Sequence, residues 1–314
     1  MSNRAFALVV FAAAAGIIAA SRLVTNDYYF SAAYTVLQFV ILATAWNILG
    51  GYAGYVNFGS AAFFAVGAYS SVFLYRWVHA PLPVMIVTGT LVAGLLGFGV
   101  GYLTLRLRGV FFAIATLALA VVLFTCVVNW DYVGGSRGAY ILQPKDLPFG
   151  LKRYIHVLFG AMVLMAGVAL VVARTIETSA IGRGLAAIRD DELAAECAGV
   201  PTLRLKILAA SVSGALMGMA GTTFPYYLSY VEPSAAFNLS YAVNSIAMPL
   251  IGGMMSWMGP LLGALLLGTV QQVVQVTVSS EWNLLIVGVL LVAFVTLAPN
   301  GIMGWVDKWK RRRK

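Results

Sequence analysis

The chain has 314 residues, of which 61% are hydrophobic and 10% charged, with a formal net charge of +9. A soluble domain carries about 25% charged residues, so this composition cannot clothe a water-facing surface and the surrounding solvent has to be hydrocarbon. There every backbone polar group must pair internally, which leaves helices or closed barrels, and the apolar stretches are continuous runs of bilayer-spanning helical length, about 20 residues each, rather than the alternating runs of barrel strands. The expected fold is all-α, a polytopic transmembrane bundle of about ten spans (8–10).

In chain order, Arg4 precedes the apolar run Ala5 to Ala20, which resembles a leader peptide but is read as a first span at 5–21. Spans follow at 31–49, closed by Gly50-Gly51, and at 58–75, 83–104 and 109–129. A loop from Trp130 to Arg153, rich in Gly, Pro and charge, leads to a span at 154–173. The polar segment 174–206 is the longest loop, before a span at 207–228. The next apolar stretch, 241–255, is short and holds Pro249 and Gly252-Gly253, the pattern of a broken or re-entrant helix packed in protein. Spans at 260–278 and 282–300 precede a basic tail at 307–314. Gly50-Gly51 with Gly59 and Gly67, and Gly252-Gly253 with Gly259 and Gly268, each close one span and open the next. Transporter halves repeat in this manner, and glycine also serves plain close packing of membrane helices.

Basic residues orient the chain. With the N-terminus inside and every span crossing, fourteen of them (Arg4, Arg106, Arg108, Arg174, Arg183, Arg189, Arg204, Lys206 and six in the tail) fall inside. Six fall outside: Arg22, Arg76, Arg137, Lys145, Lys152 and Arg153. The expectation is therefore N-in and C-in. This distribution at helix ends is a membrane signal rather than a nucleic-acid one. Cys126 and Cys197 fall on different sides, so no disulfide joins them, and no metal-ligand spacing surrounds them or His79 and His156.

No Asp, Glu, Lys or Arg lies inside any of the ten spans. Ion-coupled transporters and pumps need buried ionisable groups, so the driving energy is expected from outside the chain. The sequence has no G-K-[ST] phosphate-binding loop, which assigns any ATPase to a separate subunit. It shows no G-x-S-x-G, no H-E-x-x-H and no acid–base pair, so neither catalysis nor a cofactor is expected.

Within 174–206, Leu185 to Ala198 contains strong helix formers without a breaker, Gly199 is a natural helix end and Pro201 confirms the stop. One helix of about 20 Å is expected, with a polar cluster at Asp190, Asp191, Glu192 and Glu196, of which Asp190, Asp191 and Glu192 are expected to face solvent or a basic partner. Such a helix at the membrane face suits docking into a groove on a soluble partner, or serves as an ordinary connector.

Leu193-Ala194-Ala195-x-x-x-Gly199 resembles the E-A-A-x-x-x-G coupling loop of ATP-binding-cassette importer permeases, with Leu193 at the first Glu and Glu192 one residue earlier. The flanking Gly182-Arg183-Gly184-Leu185-x-x-Ile188-Arg189-Asp190 resembles the branched-chain amino acid permease family of the LivM type. So do Trp46 to Gly54 with Gly59 to Tyr69, Leu107 to Ala113, and Gly134-Gly135-Ser136-x-Gly138, so that the matching regions run from about residue 30 to residue 300. Ser60 stands where family members usually carry His. The resemblance implies a single permease domain over 1–314 with a cytoplasmic coupling loop at 174–206, in the cell inner membrane. It also implies a second, LivH-like permease subunit, two cytoplasmic ATPase subunits and a periplasmic solute-binding protein. Arg183, Arg189, Asp190, Asp191, Glu192, Ala194, Ala195 and Gly199 are then the coupling residues.

A path for a small polar solute needs hydrogen-bonding groups inside the bundle. The candidates are Asn47 and Asn57 flanking the glycine break, Ser60, Asn244 with Ser245, and Gln271, Gln272 and Gln275. Gln271 and Gln275 share a helix face. Each also has a structural reading, since buried amides join membrane helices. The functions in contention are an importer permease carrying branched-chain or related amino acids, a passive channel for a small neutral solute such as urea or an amide, and a membrane scaffold.

Overall fold

The computed structural model describes residues 2–24, 26–104, 107, 109–144, 153–277, 285, 288, 289, 292, 296 and 301–304. The expected span at 282–300 and the tail at 307–314 lie largely or wholly outside these residues. Eight helices among the described residues are long and apolar enough to cross a membrane, the lower end of the expected range. They are α1 (Asn3–Ser21), α2 (Asp27–Ala53), α3 (Ser60–Val78), α4 (Leu82–Thr104), α5 (Val110–Val128), α6 (Tyr154–Thr178), α9 (Thr202–Gly221) continued by α10 (Phe224–Leu228), and α13 (Met258–Thr277). The expected short stretch is α12 (Leu239–Gly252), with Pro249 inside it and Gly253 at its end.

The bundle is built around α2. From Gln38 to Ala53 every residue of this helix is buried, which is why its sequence is apolar all round with no polar stripe. It packs against α6, α9, α12 and α13. One close lateral contact joins α3 to α9, where a Cβ at Gly67 would lie 1.9 Å from the Gly218 carbonyl oxygen. Two helix backbones meet there, which the glycine at position 67 allows, while a Cβ at Gly218 would lie 2.1 Å from the Ala93 Cβ of α4. The outer helices α1, α4 and α5 expose Leu8, Leu95, Leu103, Phe111 and Val121, a belt that only lipid solvates.

The alternating crossings sort the helix ends into two groups. One end of the bundle collects Asn3 (bonded to Thr178), Tyr55, Lys206 and two short helices, α7 (Ala180–Asp190) and α8 (Glu192–Cys197). The other collects Asp27 with its ion pair to Arg153, the His156 ring with Nε2 3.4 Å from Asp27 Oδ1, and Arg76, which donates to the Tyr132 carbonyl at 2.6 Å. At this second end the strands β1 (Ala139–Tyr140) and β2 (Tyr230–Val231) pair antiparallel, Ala139 with Val231. The pairing pins the 130–144 loop to the connection between α10 and the one-turn helix α11 (Pro233–Ala236).

Candidate functional site

Five amide side chains line one groove, three of them buried (Gln38, Asn244 and Gln271), Gln272 half-buried and Gln275 exposed. A groove of about 640 Å³ runs between α2, α10, α12 and α13, lined by Gln38, Asn244, Gln271, Gln272 and Gln275, with Ser31, Thr35 and Tyr241. Among the described residues that line it there is no Asp, Glu, Lys or Arg. Asn244 and Gln271, 7% and 4% exposed, are joined by a hydrogen bond of 2.8 Å from Gln271 Nε2 to Asn244 Oδ1. Gln38 Nε2 is buried and has no hydrogen-bonding partner among the described residues. An unpaired buried donor of this kind costs about 1–3 kcal/mol. Gln38 was passed over in the sequence because it stands alone among apolar neighbours. Its signal was Ser31 and Thr35, seven and three positions earlier on the same helix face.

Asn47, Asn57 and Ser60 do not reach this groove. They lie around the α2–α3 break, at the opposite end of α2 from Ser31. There Asn57 shapes the turn: its Oδ1 accepts from Gly59 N–H at 2.7 Å, and its carbonyl accepts from Trp46 Nε1 at 2.8 Å. Asn47 and Ser60 are buried beside it. Ser245 donates to the Tyr241 carbonyl one turn back and does not line the groove.

The segment expected as one helix over 185–198 is two. α7 is capped by Ser179, whose Oγ accepts from Ile181 and Gly182 N–H, and it stops at Asp190. Asp191 is extended (φ −159°, ψ 111°), and its Oδ1 accepts from the N–H groups of Leu193 (2.9 Å) and Ala194 (3.1 Å), opening α8. A short acidic side chain that bonds the backbone ahead of it competes with helix continuation and caps a new helix instead. Helix formers on both sides hid this from the sequence. The expected stop is present, with Gly199 at φ +82°.

The expected polar cluster also divides. Arg183, Asp190, Asp191, Ala194 and Gly199 are exposed, whereas Ala195 is buried in the chain's own core. Asp190 pairs with its neighbour Arg189 at 3.2 Å. Glu192 turns inward, contrary to the expectation that it faces solvent or a partner. Lys206 Nζ lies 2.7 Å from Glu192 Oε1, with side-chain exposures of only 4% and 13%, and the Tyr55 hydroxyl donates to Glu192 Oε2 at 2.5 Å. Placed in the loop by its charge, Lys206 belongs to α9, because burial with a carboxylate and a phenol compensates the ammonium. The loop proper therefore ends at Pro201.

The chain matches the family described as branched-chain amino acid transport system / permease component over residues 28–295. It is 27% identical over 290 residues to the high-affinity branched-chain amino acid transport system permease protein LivM of Escherichia coli K12, covering 84% of this chain and 67% of that one. It is 24% identical over 277 residues to the probable branched-chain amino acid transport permease protein LivH of Methanocaldococcus jannaschii, covering 82% and 85%. A shorter likeness, 28% over 131 residues and 40% of each chain, links it to the ribose import permease protein RbsC of Haemophilus influenzae. No solved structure matches. With eight membrane-length helices and a family match that runs nearly from end to end, this multi-pass membrane protein belongs to the branched-chain amino acid transport permease family, of the LivM type.

Proposed function

We propose that the chain is one of two permease subunits of an ATP-driven importer that carries branched-chain or related amino acids across the cell inner membrane. The observation that carries this reading is the division of labour between the two ends of the bundle. Uncharged amides and hydroxyls gather in one groove, while the other end presents α7 and α8 with an exposed surface of small and polar residues. A groove of neutral hydrogen-bonding groups suits a solute with no net charge, because amides serve both ends of a zwitterion while an unbalanced charge in a low-dielectric site is expensive. Coupling energy cannot come from ionisable groups in this groove, which supports a separate ATPase.

On this reading the N-terminus and α7–α8 face the cytoplasm, and the part of 174–206 that lies outside α6 and α9, residues 179–201, meets the ATPase subunits. The groove abuts a second permease of the LivH type and receives solute from a periplasmic binding protein. Beside the exposed residues of the loop lies a shallow surface groove lined by Ile181, Gly184, Ala187, Gly199 and Pro201, which suits a docked apolar segment. The test is gentle solubilisation of the tagged chain from its native membrane, followed by reconstitution. Co-purification with an ATPase and ATP-dependent accumulation of radiolabelled leucine are the expected results. Recovery of the chain alone, with leucine or urea equilibrating without ATP, would replace the importer with the passive channel.

A further inference from the structure

The loop between α7 and α9 is fastened to the end of α2 on both sides of its Asp191 hinge. Before the hinge, Arg189 Nη1 reaches the Gly51 carbonyl in the last turn of α2 at 3.3 Å and Met255 Sδ, in the α12–α13 connection, at 2.8 Å. The two glycine breaks meet here: a Cβ at Gly51 would lie 2.8 Å from the Met254 carbonyl oxygen. After the hinge, Glu192 is held by Lys206 at 2.7 Å and by Tyr55 at 2.5 Å, and Lys206 Nζ also lies 3.2 Å from the Tyr55 hydroxyl. Tyr55 follows α2 directly, through Gly54. Its ring is wedged edge-on against Phe112 of α5, with centroids 5.3 Å apart.

We propose that the Lys206–Glu192–Tyr55 cluster is a latch that transmits movement of the α7–α8 loop into α2, with these three side chains acting as positioning residues for transport. The proposal rests on the functional reading above. Three features carry it. A buried ion pair is an expensive way to hold two helices together, since apolar side chains of the same size usually stabilise as well or better. What an ion pair with a shared phenol adds is a fixed geometry between three elements: α8, α9 and the α2–α3 break. The element at the receiving end is also the right one. α2 is the central helix, buried on all sides from Gln38 onward, and Gln38 lines the groove. Gly51 and Gln38 are thirteen residues apart on this helix, about 20 Å at 1.5 Å per residue. A close-packed rod of that length does not absorb a displacement at one end, so a shift imposed on the loop appears at the groove.

The test uses the complete transporter with its ATPase and binding-protein partners in proteoliposomes, with radiolabelled leucine as the probe. Leucine uptake and ATP hydrolysis are measured on the same vesicles, and their ratio is the readout. Lys206→Met alone takes the counter-charge from the Glu192 carboxylate and is expected to lower the amount of protein in the membrane. The double variant Glu192→Leu with Lys206→Met removes both charges and is expected to restore that amount. If the cluster is a latch, the restored double variant moves fewer leucine molecules per ATP by about tenfold, within the ordinary range of coupling between sites. Tyr55→Phe, which keeps the ring against Phe112 and deletes only the hydroxyl, loses coupling in the same direction. A double variant or a Tyr55→Phe variant with the wild-type ratio overturns the latch and leaves the pair as packing. If the double variant does not reach the membrane, the Tyr55→Phe ratio decides by itself. A wild-type complex that shows no ATP-dependent uptake removes the functional reading, and the latch with it.

Discussion

The hydrogen-bonded amides Gln271 and Asn244 separate a solute path from helix glue, because the two roles respond differently to removing one amide or both. Gln271→Leu replaces an amide with an apolar side chain of similar volume, so no large cavity opens. It leaves Asn244 Oδ1, on a residue 7% exposed, without the donor it now has at 2.8 Å. An unpaired buried acceptor costs about 1–3 kcal/mol, while amide pairs between membrane helices contribute about 0.6 and at most about 1.7 kcal/mol. The single variant should therefore unfold about 1–2 kcal/mol more easily, followed by tryptophan fluorescence in detergent during denaturant titration. Adding Asn244→Leu removes the orphan, and stability should return to within about 1 kcal/mol of the parent. Transport should not return. A solute that exchanges hydrogen bonds with both amides loses two contacts of about 1.5 kcal/mol each when its own groups are charged. At about 1.4 kcal/mol per factor of ten, leucine uptake by the assembled transporter should fall about a hundredfold. A double variant with parental stability and parental uptake would refute the assignment and leave the pair as glue between α12 and α13.

Asp191→Ala removes the cap of a six-residue helix. It should cost about 0.5–2 kcal/mol locally, read as faster limited proteolysis between Arg189 and Gly199 with little change in global unfolding. Gly67→Leu should be far more damaging than Gly99→Leu, because a Cβ at Gly67 would lie 1.9 Å from a backbone oxygen while none lies within 4 Å at Gly99. The first should lower stability by about 1–3 kcal/mol or more, and the second should be neutral or slightly stabilising in the same denaturant titration. Cys197 is exposed on the α8 side of the bundle, so a membrane-impermeant maleimide should label it in inverted vesicles and not in intact spheroplasts; the reverse pattern would invert the orientation.

Much of the molecule was legible in the residues. Helices α1 to α6 and α13 lie within a few residues of the expected spans, because solvation by lipid depends on the composition of each segment taken alone. Pro249 and the glycine pair marked α12 as short, and Gly199 marked the end of α8, since both are properties of the local backbone. The break at Asp191 was missed, although the residue was noticed for its charge. An aspartate among good helix formers either sits on the surface or turns back to cap, and the alternatives differ by only about 1 kcal/mol.

From sequence alone came the class of solvent, the helical fold, the family resemblance and the short list of uncharged groups available to a solute. Which of those groups share a site was settled only by tertiary structure. Asn244 and Gln271 are 27 positions apart and Tyr55 and Lys206 are 151 apart, and nothing local to either member of a pair points to the other. Gln38 joined the groove, and Asn47, Asn57 and Ser60 dropped out of it, according to how α2 is rotated and which end of it each residue occupies. Lys206 looked like a surface charge and is buried, because Glu192 and Tyr55 arrive from two other parts of the chain to meet it. Hydropathy is set residue by residue, whereas a hydrogen bond across helices requires two distant backbones to be placed within about 3 Å of each other, and packing of the whole bundle decides that.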